Sequence, residues 1–170
     1  KGGTFFGLPL VSLQAHEDVV TEWSRNKYRV AVHVVGDAAL DQVLTAWEHL
    51  NNATPGAVRG WTIEHAFVVR EEQLARIKAL GVNLSVQSHL YVAAPVLSNF
   101  WGHERAEHVT PVKTFMDHGF ELVGGTDSGN MPVNPFWAMY HFITRDTISD
   151  GVYGADERVN RVDVLRMFTI

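Results

Sequence analysis

Apolar side chains recur along this chain with two alternating periods. From Gln14 to about Asn26, Ala15, Val19, Val20 and Trp23 return at helical spacing among charged residues, which predicts an amphipathic helix. The run Arg29-Val-Ala-Val-His33 then reads as a strand buried on both faces, and Gly36-Asp37 follows, with Asp37 expected as the N-cap of a helix carrying Ala38, Leu40, Val43, Leu44 and Trp47. The unit repeats. Gly60 to His65 predicts a strand, Glu71 to Leu80 a helix, and Gly81 its C-terminal cap. Val82 to Gln87 predicts a third strand, followed by a segment from His89 to Thr110 that is too long for a plain loop and is expected to be functional or partly helical. Pro111 opens a helix ending at Gly119, Phe120 to Thr126 is the fourth strand, and Asn134-Pro135 starts a helix reaching about Arg145. The last residues, through Val-Leu-Arg-Met-Phe-Thr-Ile170, read as one more amphipathic helix.

Four successive strand-helix units imply an α/β protein with a parallel sheet, either open and doubly wound or part of a closed TIM-like barrel. His33, His65 and Asp127 each stand at or just past the C-terminal end of a strand, where barrels gather their chemistry, and this favours the barrel. A full (β/α)8 barrel takes about 250 residues, so four units are about half of one. The expected organisation is a single segment, 1–170, cut at both ends. No Gly-x-Gly-x-x-Gly or Walker-type loop supports a nucleotide-binding alternative.

Composition narrows the chemistry. A hydrophobic fraction of 46% in 170 residues supports a packed core, and a net charge of -5 offers no basic surface for nucleic acid. The chain has no cysteine, so any metal must rest on His, Asp or Glu, and there are nine histidines. No apolar run approaches the length of a membrane span and no signal-peptide pattern is visible, so neither a membrane nor nucleic acid is an expected partner and a cytoplasmic location is the expectation.

Two imidazoles and a carboxylate converging at strand ends suit zinc or another divalent metal that polarises a bound water, with Asp127 taking the water's proton. Each residue also has a plainer explanation. A lone histidine after a strand is often a hydrogen-bonded structural residue, and Asp127, within Gly124-Gly-Thr-Asp-Ser-Gly129, is a natural turn former. Equivalent placement in consecutive units is what favours ligation. His89 is a candidate substrate contact or oxyanion stabiliser, and Glu64, on the other strand face from His65, is placed to orient a neighbour. His16 and His49 fall on helices, His118 precedes Gly119 as a cap, and His103 and His108, beside Trp101 and Arg105, are candidates for a cover over the pocket. The aromatic group Trp137, Tyr140, His141 and Phe142 reads as packing.

The segments Val32-His33-Val-Val-Gly36-Asp37-Ala-Ala, Ile63-Glu64-His65-Ala66 and Gly124-Gly125-Thr126-Asp127-Ser128, with Pro132-Val133-x-Pro135 and Gly102-x-Glu104-Arg105, resemble the amidohydrolase superfamily. Within it they resemble the amidohydrolase family 3 branch, which includes N-substituted formamide deformylases. The resemblance implies the last four units of a distorted barrel holding one or two divalent metals, zinc being the expected ion, with His33 on the fifth strand, His65 on the sixth and Asp127 on the eighth. It also implies that the two histidines hold one metal while Asp127 binds the other and accepts the proton. The N-terminal half, with its His-x-His pair and carboxylated lysine, and the flanking small β domain are absent from this sequence; Lys1 lies outside any strand pattern and is not that lysine. Where the family shows Gln-Pro-x-His, this chain has Gln87-Ser88-His89, so the histidine arrives one position early.

The implied activity is hydrolysis of a carbon–nitrogen bond in a non-peptide amide, by an intact parent of which this segment alone would be inactive. Its partners would be a small amide-type substrate and the remainder of the parent chain, with self-association through the open half-barrel edge also expected. A barrel that binds a metal or ligand without catalysis is the alternative.

Overall fold

A computed structural model of the chain describes residues 10–129 and 131–169. Lys1 lies outside them. Helix α1 (Leu13–Arg25) starts at Ser12, whose hydroxyl accepts from the Ala15 amide. Strand β1 (Ala31–Val34) leads into α2 (Asp37–Ala53), β2 (Thr62–His65) into α3 (Glu71–Leu80), and β3 (Asn83–Gln87) into α4 (Leu90–Trp101). Helices α5 (His103–Glu107) and α6 (Val112–Asp117) precede β4 (Leu122–Gly125), which is followed by α7 (Pro135–Thr144), a 3-10 turn (Ala155–Glu157) and α8 (Arg161–Thr169). The long segment after β3 is therefore mostly helical. Gly81 caps α3 in the left-handed conformation, with φ of 64°, as its position predicts. Asp37 is the first helical residue of α2 and Gly36 the N-cap, which corrects the expected cap. The Asp37 carboxylate is turned instead to Arg70 (2.8 Å) and Arg105 (3.4 Å).

The four strands are all parallel and lie in the order β1-β2-β3-β4. A doubly wound sheet reverses its strand order at a switch point, whereas a barrel adds each strand to the same side of the last. The unreversed order is an arc of a barrel, and the fold is a partial TIM-like barrel of the α/β class.

Register sorts the side chains into rows. Val32, Ile63, Leu84 and Leu122 are aligned across the sheet and lie on the helix-covered side, where Ile63 and Leu84 are fully buried. The next row, His33, Glu64, Ser85 and Val123, points to the opposite side, where Val123 is 55% exposed. The expectation that β1 is buried on both faces is thus corrected: Ala31 and His33 are exposed and only Val34 is buried. On that opposite side the sheet is open at β1 and β4 but closed at its centre, where Ser85 and Gln87 of β3 are buried. The core beneath the helices includes Leu40, Leu44, Trp47, Ile77 and Phe115, with the rings of Trp47 and Trp61 edge to face at 5.2 Å. Among the described residues no helix is long and apolar enough to cross a membrane.

Candidate metal centre

Strand period decides which side chains reach the C-terminal rim. By strict alternation His65 would follow Ile63 to the helix side. Left-handed backbone at His65 (φ 73°) and Ala66 (φ 44°) breaks the alternation, and the imidazole instead meets Gln87, which lies with Ser85 on the side of the sheet opposite Ile63 and Leu84. Asp127, two residues beyond β4, is also left-handed, with φ of 48°. Non-glycine residues in this region cost on the order of 1 kcal/mol or more and persist where surrounding contacts impose them, often at functional sites. Here two of them, His65 and Asp127, are candidate site residues.

The rim brings four polar residues together. A nitrogen of His65, a nitrogen of His89 and a carboxylate oxygen of Asp127 lie within 4.8 Å of one another. His33 stands beside this trio, its ring edge-on to that of His65 with centroids 4.6 Å apart. Thus His65 and Asp127 of the sequence-derived ligand set converge, His33 adjoins them through His65, and His89, read from sequence as a substrate contact, lies inside the trio. The signal for His89 was its position two residues past β3, which matches that of Asp127 past β4.

A carboxylate only accepts, so Nε2 of His89 carries the proton of its 2.8 Å hydrogen bond to Asp127. That leaves Nδ1 of His89 as a lone pair, and it is buried without a partner. Burial pushes the His89 imidazole down from its ordinary value, opposed by the hydrogen bond to Asp127. The same hydrogen bond from His89 holds the Asp127 carboxyl below the usual carboxylate range. Neutral imidazoles and an ionised carboxylate are the forms that bind a cation.

Around this group the packing is close. The Nε2 of Gln87 donates to Glu64 (3.2 Å) and to the Ser85 hydroxyl (2.9 Å), while its Oε1 meets Nδ1 of His65 at 2.6 Å. Gly125 leaves room for that amide, since a Cβ there would lie 3.3 Å from Gln87 Nε2. Phe67 packs against both His65 and His89, with ring centroids 5.9 and 4.9 Å away. His103 and His108 take other positions: His103 lies edge-on to Tyr153 and near Glu107, and His108 ends α5. His118 ends α6, held by the Thr114 carbonyl and the Glu71 carboxylate.

Imidazole and carboxylate donors suit a divalent ion of the zinc type, whose ligands sit about 2.0–2.2 Å from the metal. The unpartnered Nδ1 of His89 and the clustering of the three donors fit such an ion. A parallel arc with this donor group at the carboxyl ends of its strands is the arrangement of a barrel hydrolase. The chain belongs to the amidohydrolase family, which it matches over residues 3–170. It is 28% identical over 169 residues to an N-substituted formamide deformylase from Arthrobacter pascens, covering 98% of this chain and 31% of that protein. The fold superposes with a TM-score of 0.80 on an uncharacterized metal-dependent hydrolase from Pyrococcus furiosus, at 30% identity, covering 97% of this chain and 32% of the other. A similar protein from Pyrococcus horikoshii gives the same TM-score, 0.80, at 29% identity, with 95% and 32% of the two chains covered. The chain spans about a third of the length of the relatives it matches.

Proposed function

We propose that the intact protein carrying this segment is a metal-dependent hydrolase of carbon–nitrogen bonds in non-peptide amides. The observation that supports it most is the convergence of His65, His89 and Asp127 within 4.8 Å at the C-terminal rim of a parallel arc. These three residues, with His33 beside them, would hold a divalent metal, zinc being the ion that best suits the donor set. When bound, such an ion makes water a nucleophile near neutral pH and polarises a carbonyl oxygen.

The chain's own groups supply the rest. Asp127, ionised through the hydrogen bond from His89, is suited to take a proton from the attacking water and deliver it to the departing nitrogen. His89 keeps the carboxylate aimed, because its Nε2–H has no nearer acceptor than Oδ2. Phe67, against both imidazoles, keeps one side of the cluster apolar and dry, which strengthens every charge interaction within it. The uncovered face bearing Ala31, His33 and Val123 is the side on which the remaining strands of the barrel would close. Activity on a small amide-type substrate is accordingly assigned to the intact protein.

Elemental analysis of the intact protein and of His33→Ala, His65→Ala, His89→Ala and Asp127→Ala tests the proposal. Loss of a direct ligand should weaken binding beyond the roughly 10–100-fold carried by outer partners. The expected outcome is metal lost from the His65, His89 and Asp127 variants while they stay folded, with a parallel loss of amide hydrolysis. Metal retained in all four would sink the mechanism. Stoichiometric metal without turnover of any amide would favour a ligand-binding barrel instead.

A further inference from the structure

We propose that Gln87 and Glu64 are positioning residues that select the tautomer of His65 and leave its Nε2 as a bare electron pair available to a cation. The inference rests on the metal-centre reading for its purpose, although the tautomer itself follows from hydrogen-bond chemistry alone.

The argument starts at Glu64. Its carboxylate can only accept a hydrogen bond, and it sits 3.2 Å from the side-chain nitrogen of Gln87. The amide of Gln87 must therefore turn its NH2 toward Glu64, and the second hydrogen of the same NH2 is used by the Ser85 hydroxyl at 2.9 Å. With both hydrogens engaged, only Oε1 is left for the far side, where it lies 2.6 Å from Nδ1 of His65. A carbonyl oxygen cannot donate, so Nδ1 of His65 carries the proton. A neutral imidazole has one proton, which leaves Nε2 as the acceptor.

Packing makes this orientation hard to escape. Gln87 and Ser85 are buried, 5% and 8% exposed, so water does not offer Gln87 an alternative partner. Gly125 on the adjacent strand admits the amide where a Cβ would approach its nitrogen to 3.3 Å. The left-handed backbone at His65 brings the ring to Gln87 against the strand's own alternation. Three neighbouring strands thus contribute one residue or more to a device whose output is the direction of a single lone pair. A free pair of this kind is what a cation requires from a histidine.

The test reads the tautomer on metal-free intact protein by 15N chemical shifts of His65, about two pH units above the ordinary imidazole value of about 6.5. His65→Ala identifies the resonance. The wild type should show the Nδ1–H form. Gln87→Leu removes the acceptor and should give a mixture or the Nε2–H form. Glu64→Lys, at a half-buried position, offers only donors; the Gln87 amide should turn over and His65 should invert to Nε2–H. Glu64→Gln, which keeps an acceptor, should retain Nδ1–H. Zinc titration of the same proteins should show affinity weakened about 10–100-fold in Gln87→Leu and near wild type in Glu64→Gln. An Nδ1–H tautomer that persists in both Gln87→Leu and Glu64→Lys overturns the inference. Should His65→Ala bind zinc as tightly as wild type, the metal reading fails while the tautomer result stands or falls separately.

Discussion

Replacing Arg145 with methionine should be among the most damaging single changes outside the candidate metal centre. The guanidinium is fully buried, and its backbone is left-handed, with φ of 58°, where it caps α7. Its Nε donates to the Tyr153 carbonyl (2.9 Å), Nη1 to Thr110 (3.2 Å), and Nη2 to Glu107 (2.9 Å) and Val109 (3.1 Å). One side chain thus ties the 107–110 stretch to the 145–153 loop. Burial pulls the guanidinium down to about 10, which still leaves it charged at neutral pH. Hydrogen bonds from a charged group contribute about 1.5–3 kcal/mol each, and burying the cation takes back several kcal/mol. Methionine keeps much of the stem's packing and strands the carbonyls of Tyr153, Glu107 and Val109, while that of Thr110 keeps its bond from the Val112 amide, so the net loss should be about 3–5 kcal/mol, as when one partner of a buried charged set is removed. Urea unfolding of the intact protein should show this as a lower midpoint with an unchanged slope. Arg145→Lys should recover less than half, because an ammonium cannot span carbonyls on both sides of the loop. A loss below about 1 kcal/mol in Arg145→Met would mean that water replaces the clamp, and would refute the reasoning.

Two further changes probe pH dependence and packing. His141 is wholly buried, with Nδ1 on the Asp146 carbonyl and Nε2 unpartnered, and burial pushes it down to about 3. Because that lies below the unfolded value of about 6.5, the unfolded chain takes up the proton first on acidification; the contribution is intact above about pH 6.5 and is lost toward pH 3, by about 2 kcal/mol at pH 5. His141→Phe should flatten this part of the stability profile, and an unchanged slope would show that His141 does not carry it. At Gly124 a Cβ would run into the Phe168 ring of α8, with Cδ2 at 2.7 Å and Cζ at 2.9 Å. Gly124→Ala should therefore cost about 1–3 kcal/mol, and Phe168→Leu should relieve a good part of it in a double-mutant cycle. Simple additivity of the two changes would count against the clash.

Local pattern made much of the fold readable. The helix Glu71–Leu80 and its Gly81 cap, the Asn134-Pro135 start of α7, and all four strands within two residues follow from period and capping chemistry, which act over one or two turns of chain. Asp37 shows the limit of that method. Its residue type suits an N-cap, but Arg70, 33 residues away, and Arg105, 68 residues away, hold its carboxylate instead. The exposure of Ala31 and His33 on β1 has a related cause: an apolar strand declares that it can be covered, and coverage depends on what else packs there.

By itself, then, the sequence determined the parallel α/β class, the four strand-helix units, and the presence of His33, His65, His89 and Asp127 at or beyond strand ends, because those depend on spacing along the chain. Only the tertiary structure decided that the strands run β1-β2-β3-β4 without reversal, that His89 joins His65 and Asp127 in one group, and that hydrogen bonds link Glu64 to His65 through Gln87. Those depend on register between strands and on left-handed backbone at His65 and Asp127, which set the direction of a side chain in space and leave no period in the sequence.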